Sequence, residues 1–352
     1  MRVAELAGLR RFRLSERPAP PDPAAGEVQV RVAAVGVCGS DLHYFSEGAI
    51  GDTPCQYPMV LGHEPTGVVV KAGAGTGWTP GDPVIIEPAI YCYHCEYCLS
   101  GRHNVCARLR FLSQPDEPGL LRDLANLPAV NLQPLPEGLG FREATLVEPL
   151  AVILHSMRFA DPRPGETAAV FGAGPIGLLT IAVLKLSGVR RLWAVEPVAH
   201  RRELAVRFGA DTALDSGHAD PALAITAETG GRGVDMVIDC AARGDTLNQA
   251  IRVARPAGRV VITGIPTEPR VNIDYHVLRR KELGLYTVRR SCHESASALR
   301  LLVEQPGRFS EMLTHTRPLE SAQEAFEILE AYADGVAKVV IEVNGPAAAR
   351  MR

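Results

Sequence analysis

Four residues combine the side-chain types that bind a catalytic metal ion. Cys38 stands in the sequence CGSDLHYFSEG, and His63 and Glu64 follow in GHEPTG. One thiolate, one imidazole and one carboxylate, with a fourth position left open, describe a catalytic zinc site. Glu148 adds an acidic residue within the apolar stretch LVEPLAV, where a lone carboxylate is costly to bury unless it is paired or near a metal. Each residue alone also has a structural explanation, so the prediction depends on the set.

A second cluster consists of four cysteines in C-x2-C-x2-C-x7-C spacing: Cys92, Cys95, Cys98 and Cys106. Four thiolates this close in sequence can surround one tetrahedral ion and leave no open position for a substrate. The cluster therefore predicts a structural zinc site, with an iron–sulfur cluster as the alternative. The nearby His94 and His103 are expected to be solvent-exposed loop residues.

A glycine-rich turn between a predicted strand and a predicted helix could bind a dinucleotide. Its residues are Gly172, Gly174, Pro175, Ile176 and Gly177, in the sequence GAGPIG. The glycines permit a tight turn, a close approach of the backbone to a pyrophosphate and close packing of helix on strand, with the pyrophosphate at the helix N-terminus. A glycine turn without a ligand is the alternative.

Two residues bear on the choice of cofactor: Glu196, at the end of the next predicted strand, and Arg201, five residues later. Glu196 would accept hydrogen bonds from the adenosine ribose and repel a 2′-phosphate, which favours NAD over NADP. Arg201 complicates this prediction, because an arginine there could stack on adenine or attract a phosphate.

Length and composition indicate an ordinary globular protein. The chain has 352 residues, enough for about two domains, with 46% hydrophobic residues and a net charge of −3. No basic patch suggests nucleic acid, and no apolar run is long enough for a membrane span. The N-terminal segment lacks the apolar core of a signal peptide, and eight cysteines in a chain of this size suggest metal ligation or burial rather than disulfides. We therefore expect a cytoplasmic protein.

Alternating strand and helix patterns occupy the middle of the chain. Buried strands are predicted for TAAVFGAG, RRLWAVEP, VDMVIDCAA and RVVITGI, and helices for PIGLLTIAVLKLSG, AHRRELAVRFGA and LNQAIRVARPAG. This alternation predicts a doubly wound parallel sheet. The N-terminal part is β-rich, with strand patterns in EVQVRVAAVGVCG, GVVVKAG and DPVIIEP. The C-terminal part has helices in SASALRLLVEQ and SAQEAFEILEAY and a closing strand, AKVVIEV, which we expect to return to the first domain.

The ordered set CGSDLH, GHE, the four cysteines, VEPLAV and GAGPIG resembles the zinc-containing medium-chain dehydrogenases. HYFSEGAIGD, VLGHE and VEPLAV are most similar to the polyol branch of that family, the sorbitol (L-iditol), xylitol and L-idonate 5-dehydrogenases. The resemblance implies an α/β protein with a GroES-like β-rich catalytic domain over 1–153 and 289–352. That domain would carry a structural zinc lobe at 88–110. A Rossmann NAD-binding domain would occupy 154–288, with the active site in the cleft between them.

The resemblance also assigns roles at the catalytic zinc. Cys38 and His63 would bind the metal, and Glu64 would be a third ligand or alternate with a water molecule. Glu148 would reach the metal directly or through that water. Asp41 would orient His63 by fixing its tautomer.

Further residues match the proton relay and the substrate contacts of the polyol enzymes. Ser40 and His43 match the relay, which passes through the nicotinamide ribose to solvent. Tyr44 and Arg289 match substrate-binding positions. Arg290 stands where those enzymes usually have tyrosine, and this departure leaves the particular polyol open.

These features together predict a zinc-dependent oxidoreductase with two zinc ions and NAD as cofactors. It would transfer a hydride from a secondary alcohol of a polyol or sugar acid to NAD, giving a ketose or keto acid. An L-threonine 3-dehydrogenase-like or simple-alcohol enzyme of the same family is the alternative, and a non-catalytic NAD(P)H-binding protein is a more remote one. No nucleic-acid or membrane partner is expected. The resemblance implies a homo-oligomer, a dimer or a tetramer.

Overall fold

The computed structural model describes residues 1–305 and 307–345, and the chain forms two compact units. Unit 1 comprises Met1–Glu148 together with the chain from Ser295 onward, and unit 2 comprises Pro149–Glu294. The sequence predicted domain changes at 153/154 and 288/289. Unit 2 is thus slightly longer at both ends than the predicted Rossmann domain, and a helix, Val147–Ala160, continues through the first boundary.

The helices and strands are numbered in chain order. Those before unit 2 are β1 (Arg2–Gly8), β2 (Arg11–Glu16), β3 (Glu27–Gly36), α1 (Gly39–Ser46), β4 (Ala49–Ile50), β5 (Thr53–Pro54), β6 (Glu64–Ala72), β7 (Pro83–Ile86), β8 (Ala89–Ile90), α2 (Glu96–Leu99), β9 (Arg110–Phe111), β10 (Leu124–Pro128), β11 (Leu132–Pro134), α3 (Phe141–Ala144) and α4 (Val147–Ala160). Those of unit 2 after α4 are β12 (Thr167–Phe171), α5 (Pro175–Leu186), β13 (Arg191–Val195), α6 (Ala199–Phe208), β14 (Thr212–Leu214), α7 (Pro221–Glu228), β15 (Val234–Asp239), α8 (Thr246–Val253), β16 (Ala254–Ile262), α9 (Tyr275–Arg280) and β17 (Gly284–Thr287). Unit 1 then resumes with α10 (Ser295–Glu304), β18 (Leu313–Pro318), α11 (Ala322–Glu330) and β19 (Lys338–Glu342).

Unit 1 is built on a sheet of seven strands with the order β11-β7-β6-β3-β19-β18, in which β10 also pairs with β3. Strand β3 lies in the interior of this sheet, between β6 and β19, and its residues are almost all buried. Its inward-facing valines Val28, Val30 and Val32 lie in the main core of the unit. Phe326 from α11 and Val339 from β19 join that core. The antiparallel pairing of β19 with β3 confirms that the C-terminal strand returns to the first domain.

Unit 2 contains a parallel sheet of six strands in the order β14-β13-β12-β15-β16-β17. This is the strand order of a Rossmann fold, so the predicted doubly wound sheet is confirmed.

One helix differs from its prediction. LNQAIRVARPAG was expected to be helical throughout, but α8 ends at Val253 and β16 begins at Ala254. Pro256 explains the early end, since a residue that precedes proline is disfavoured in the helical region.

The helices are short compared with a lipid bilayer. The longest, α4, has 14 residues. Among the described residues, no helix combines the length and the apolar character that a membrane span requires.

Candidate active site

The register of two strands brings Cys38 next to His63 and Glu64. Strands β3 and β6 are antiparallel with Gly36 opposite Glu64, and Cys38 follows β3 directly before α1. One potential ligand atom from each of the three residues lies within 4.8 Å of the other two. The structure therefore brings together the three residues that the sequence selected as the main zinc ligands.

Space for the Glu64 carboxylate depends on Gly36. A Cβ atom at Gly36 would lie 2.1 Å from Glu64 Oε2, so only glycine fits opposite this side chain. The same oxygen pairs with the buried Lys338 from β19. Glu64 Oε1 is buried and has no hydrogen-bond partner among the described residues. A buried carboxylate oxygen of this kind needs a cation or a donor, which a metal ion would provide.

His63 is oriented by Asp41, as the sequence predicted. His63 Nδ1 lies 3.2 Å from Asp41 Oδ1, and both side chains are buried. Burial alone would lower the pKa of His63, but the charges of Asp41 and Cys38 raise it well above its usual value. The surroundings of the His63 ring thus favour a positive charge on it. A metal ion at Nε2 would supply that charge in place of a proton.

Glu148 lies in the first turn of α4 and lines a small cavity with Glu64, Glu87 and Ser295. Ser295 Oγ donates a hydrogen bond of 2.5 Å to Glu87 Oε2. Burial is the main cause that raises the pKa of Glu148 to about 8. The charge of His63 opposes this shift, and those of Glu64 and Glu87 add to it. A carboxylate among other carboxylates is stabilised in its charged form by a nearby cation.

The donor set fits a catalytic zinc ion. It offers sulfur from Cys38, nitrogen from His63 and oxygen from Glu64, with Glu148 close to Glu64, and Cys38 is partly exposed. Three mixed ligands with access to a further position are typical of catalytic rather than structural zinc.

Helix α1 carries the residues predicted for proton transfer and substrate contact. Ser40 Oγ lies 3.5 Å from His63 Nε2. One turn further on, His43 Nδ1 lies 2.9 Å from Glu47 Oε2. Tyr44 is fully buried, and its hydroxyl donates a hydrogen bond of 3.2 Å to Gln114 Oε1.

The four clustered cysteines also converge. Cys106 Sγ lies 3.4 Å from Cys92 Sγ and 3.9 Å from Cys95 Sγ, and Cys92 Sγ lies 3.9 Å from Cys98 Sγ. Backbone N–H groups of Cys98 and Ala107 lower the pKa of Cys95 to about 6. A thiol with a lowered pKa is readily available as the thiolate that zinc requires.

The two histidines near this cluster differ from each other. His94 is exposed, as expected, and lies 3.0 Å from an Arg108 nitrogen. His103 is partly buried, which corrects the expectation of a solvent-exposed residue. Its ring packs on Tyr91 at 5.3 Å and on Tyr93 at 5.6 Å between centroids. Neither histidine belongs to the group of four cysteines.

In unit 2 the glycine-rich turn joins β12 to α5, as predicted. Gly172 has a φ of +89°, and a Cβ atom at Gly177 would lie 1.9 Å from Gly172 O. Gly174 precedes α5, whose first residues are Pro175 and Ile176. Within the described part of the chain, the only atom that a Cβ at Gly174 would meet within 4 Å belongs to Arg201. The helix N-terminus is therefore open on the side where a pyrophosphate would bind.

Glu196 and Arg201 both face this turn. Glu196 Oε2 accepts a hydrogen bond from Ala173 N at 2.7 Å, and Oε1 accepts one from Val198 N at 3.0 Å. Arg201 is largely buried, and its Nη1 atom lies 3.8 Å from the Cβ position of Gly174. Glu196 thus also holds the turn in place.

The predicted substrate residue Arg289 lies in unit 2 immediately after β17 and is exposed. The neighbouring Arg290 has a φ of +54°, which is unusual for an arginine. The two adjacent arginines thus differ in backbone conformation.

Four residues of the site were not selected from the sequence: Lys338, Glu87, Glu47 and Ser113. Lys338 opens the otherwise apolar strand KVVIE, a signal of the same kind as Glu148 in LVEPLAV. Glu47 stands four residues after His43, the spacing of neighbours on a helix. Ser113 and Glu87 have no comparable local signal.

Comparisons with known proteins agree with these two units. Residues 24–137 match the alcohol dehydrogenase GroES-like domain, and residues 175–304 match the zinc-binding dehydrogenase family. The protein named "Probable D-xylulose reductase A" of Emericella nidulans is 35% identical over 328 residues, which cover 92% of this chain and 91% of that protein. A sorbitol dehydrogenase of Bacillus subtilis is 29% identical over 98% of both chains. The structure of an alcohol dehydrogenase from Thermus sp. ATN1 has a TM-score of 0.90 at 28% identity, covering 98% of this chain and all of that one.

The fold and the site therefore define an oxidoreductase with a zinc-binding catalytic domain and a dinucleotide-binding domain. This chain belongs to the zinc-dependent alcohol dehydrogenase family.

Proposed function

We propose that this chain oxidises a secondary alcohol group of a polyol or sugar acid and transfers the hydride to NAD, giving a ketose or keto acid. The observation that carries the proposal is the convergence of Cys38, His63 and Glu64 on one open ligand set with Glu148 beside it. The similarity to proteins named as a D-xylulose reductase and a sorbitol dehydrogenase supports polyols as the substrate class.

The residues of unit 1 have distinct roles in this proposal. Cys38, His63 and Glu64 would hold the zinc ion, with Glu148 as a further ligand or in contact through water, and the ion would supply the Lewis acidity that makes an alcohol acidic near neutral pH. Asp41 keeps the proton of His63 on Nδ1, so that Nε2 is the nitrogen available to the metal.

Proton removal is assigned to Ser40 and His43. Because Glu47 is a carboxylate, it accepts the hydrogen bond from Nδ1–H of His43. Nε2 of His43 is then the nitrogen left to accept a proton and release it to solvent. Glu47 is exposed, so the pair has access to water.

Cofactor binding is assigned to the glycine-rich turn and to Glu196. The turn from Gly172 to Gly177 and the N-terminus of α5 bind the pyrophosphate, and Glu196 binds the adenosine ribose. NAD supplies the hydride acceptor. Tyr44 and Arg289 are proposed to contact the substrate hydroxyls.

The test of this function is NADH formation across a panel of polyols, sugar acids, L-threonine and simple alcohols, with NAD and NADP in parallel. We expect turnover with polyols or sugar acids and a preference for NAD. Turnover of L-threonine or a simple alcohol above all polyols and sugar acids would replace the proposed substrate class. Cys38→Ser and His63→Ala should abolish turnover and retain NAD binding, and an active variant would contradict the zinc assignment.

We further propose that the protein acts in the cytoplasm as a homo-oligomer, a dimer or a tetramer. The eight cysteines all lie among the described residues and form no disulfide bond there, which suits a reducing compartment. Exposed apolar side chains, including Leu99 at 75% and Val271 at 44%, are compatible with contacts between copies. Light scattering of the purified protein gives the number of chains directly, and a monomer would contradict the oligomer.

A further inference from the structure

Ser113 has a conformation and a set of contacts that a loop serine does not need. It lies shortly after β9, is 1% exposed, and has a φ of +68°. A non-glycine residue at positive φ is uncommon and is held there by its surroundings. Its hydroxyl donates a hydrogen bond of 2.6 Å to Asp41 Oδ1 and accepts one of 3.0 Å from Gly62 N.

Both partners of this hydroxyl lead directly to the ligand set. Asp41 Oδ1 is the atom that faces His63 Nδ1. Gly62 immediately precedes His63 and Glu64 in the chain, and its own φ is +100°. A Cβ atom at Gly62 would lie 2.8 Å from a methyl group of Val35, so a larger residue would collide with that side chain.

Backbone hydrogen bonds already hold the chain around Gly62 in place. The Ser113 hydroxyl therefore does more than support this loop. Gly119 N donates to Val60 O, Leu120 N to Gly62 O and Leu121 N to Leu61 O, at 2.7, 2.8 and 2.9 Å. These bonds join backbone to backbone, and none of them involves Asp41. The Ser113 hydroxyl joins the orienting carboxylate to the backbone that bears the ligands.

We propose that Ser113 is a positioning residue for the catalytic metal. It fixes the Asp41 carboxylate so that His63 keeps its proton on Nδ1 and presents Nε2 to the metal. Residues one contact away from metal ligands set ligand orientation in this manner, and their loss commonly costs about 10- to 100-fold in metal affinity. The inference rests on the proposed zinc site, and it adds a residue that the resemblance did not assign.

The test compares Ser113→Ala with Ser113→Gly. Alanine removes the hydroxyl and keeps a Cβ atom at positive φ, whereas glycine removes the hydroxyl and also relieves the backbone strain. If Ser113 served only the loop, glycine would match serine or improve on it. If the hydroxyl positions His63, both variants lose metal affinity. Ser46→Ala is the matched control, because the Ser46 hydroxyl bonds only to a carbonyl within α1.

The readouts are the affinity of the catalytic site for Co²⁺, measured in competition with a chelator, and the visible spectrum of bound Co²⁺, with zinc kept in the four-cysteine site. We expect a loss of roughly 10- to 100-fold in affinity and an altered spectrum for both Ser113 variants, and no change for Ser46→Ala. Circular dichroism and NAD binding establish that each variant is folded, and Ser113→Gly decides the question if Ser113→Ala does not fold.

The outcomes separate this inference from the proposed function. A Ser113→Gly protein with wild-type affinity and spectrum would overturn the inference and leave the proposed function intact. A wild-type protein that binds no metal outside the four-cysteine site would overturn both.

Discussion

Lys338 Nζ lies 2.5 Å from Glu64 Oε2, and both side chains are only 1% exposed. Lys338 Nζ also donates a hydrogen bond of 3.1 Å to Val37 O, so its position is held by the residue that follows strand β3. Burial alone would lower the pKa of Lys338, but the charges of Glu64 and Cys38 raise it above its usual value. One oxygen of Glu64 is therefore neutralised by a lysine, and the other, which has no hydrogen-bond partner among the described residues, is the one that the proposed zinc site would use.

Lys338→Met should destabilise unit 1 in the metal-free protein. The substitution leaves the Glu64 carboxylate buried without its partner, and breaking a buried ion pair from one side costs about 3–5 kcal/mol. The chain has two tryptophans, one in each unit, so urea unfolding in a Trp193→Phe background reports on unit 1 through Trp78. The double variant Lys338→Met with Glu64→Gln should recover much of the loss. A single variant that unfolds at the wild-type urea concentration would show that the pair contributes little.

Features that depend on local spacing could be predicted from the sequence. The turn from Gly172 to Gly177 needs a strand before it and a helix after it, and both can be recognised within a short window. The four cysteines lie within one loop, so their convergence follows from sequence distance alone. Cys38 and His63 were selected by residue type, although their contact depends on the register of β3 and β6.

Contacts made by distant strands could not be predicted in the same way. Lys338 meets Glu64 because β19 pairs with β3 in a particular register, and no local pattern encodes that pairing. Ser113 bonds to Asp41 from a loop that has no regular secondary structure, so no periodic pattern marks it in the sequence. Glu196 was predicted at the ribose, but the hydrogen bond that it accepts from Ala173 follows from the pairing of β12 with β13. The bond that it accepts from Val198 is local, two residues further along the chain.

Cys95→Ser should remove one zinc ion from each chain and leave the other in place. The loop of residues 92–106 contains only α2 and one short 3-10 helix, so the metal is expected to be its main internal support. We expect metal analysis to show the loss of one zinc equivalent and thermal unfolding to occur at a lower temperature.

Cys55→Ser is the control for this substitution, because Cys55 belongs neither to the four-cysteine group nor to the group of Cys38, His63 and Glu64. It should keep the full zinc content. A Cys95→Ser protein that also kept its full zinc content would contradict the assignment of the four cysteines.

Glu196→Ala should weaken NAD binding and reduce the preference for NAD over NADP. The substitution removes two hydrogen bonds to a charged acceptor, each worth about 1.5–3 kcal/mol, and the negative charge that would repel a 2′-phosphate. We expect NAD affinity to fall by at least ~10-fold, measured by calorimetry, and the ratio of kcat/KM for NAD to that for NADP to fall as well.

Glu196→Gln separates the two effects. It keeps the shape of the side chain and an oxygen acceptor. We therefore expect it to change the preference for NAD over NADP more than it weakens the hydrogen bonds that keep the glycine-rich turn in place. If both variants discriminated between NAD and NADP as the wild type does, Glu196 would have no part in that choice.

Asp235→Asn should destabilise unit 2 near neutral pH and much less in acid. Burial alone would raise the pKa of Asp235, but hydrogen bonds from Arg232, Arg255 and Thr167 hold it well below its usual value. An acid whose pKa is lowered on folding stabilises the folded protein above its unfolded pKa of about 3.9, and this stabilisation is lost as the pH falls towards the folded value. Near pH 7 the loss on substitution should be roughly 3 kcal/mol, the worth of hydrogen bonds to a charged group.

The measurement is urea unfolding in a Trp78→Phe background, in which the buried Trp193 reports on unit 2. The difference between wild type and Asp235→Asn should be largest near pH 7 and should shrink as the pH falls below about 4, because protons then neutralise the wild-type carboxylate as well. Asp211→Asn is a control in the same unit, since Asp211 pairs with a single lysine at a partly exposed site. A difference for Asp235→Asn that stayed constant from pH 7 into acid would mean that the charge of Asp235 does not stabilise the sheet.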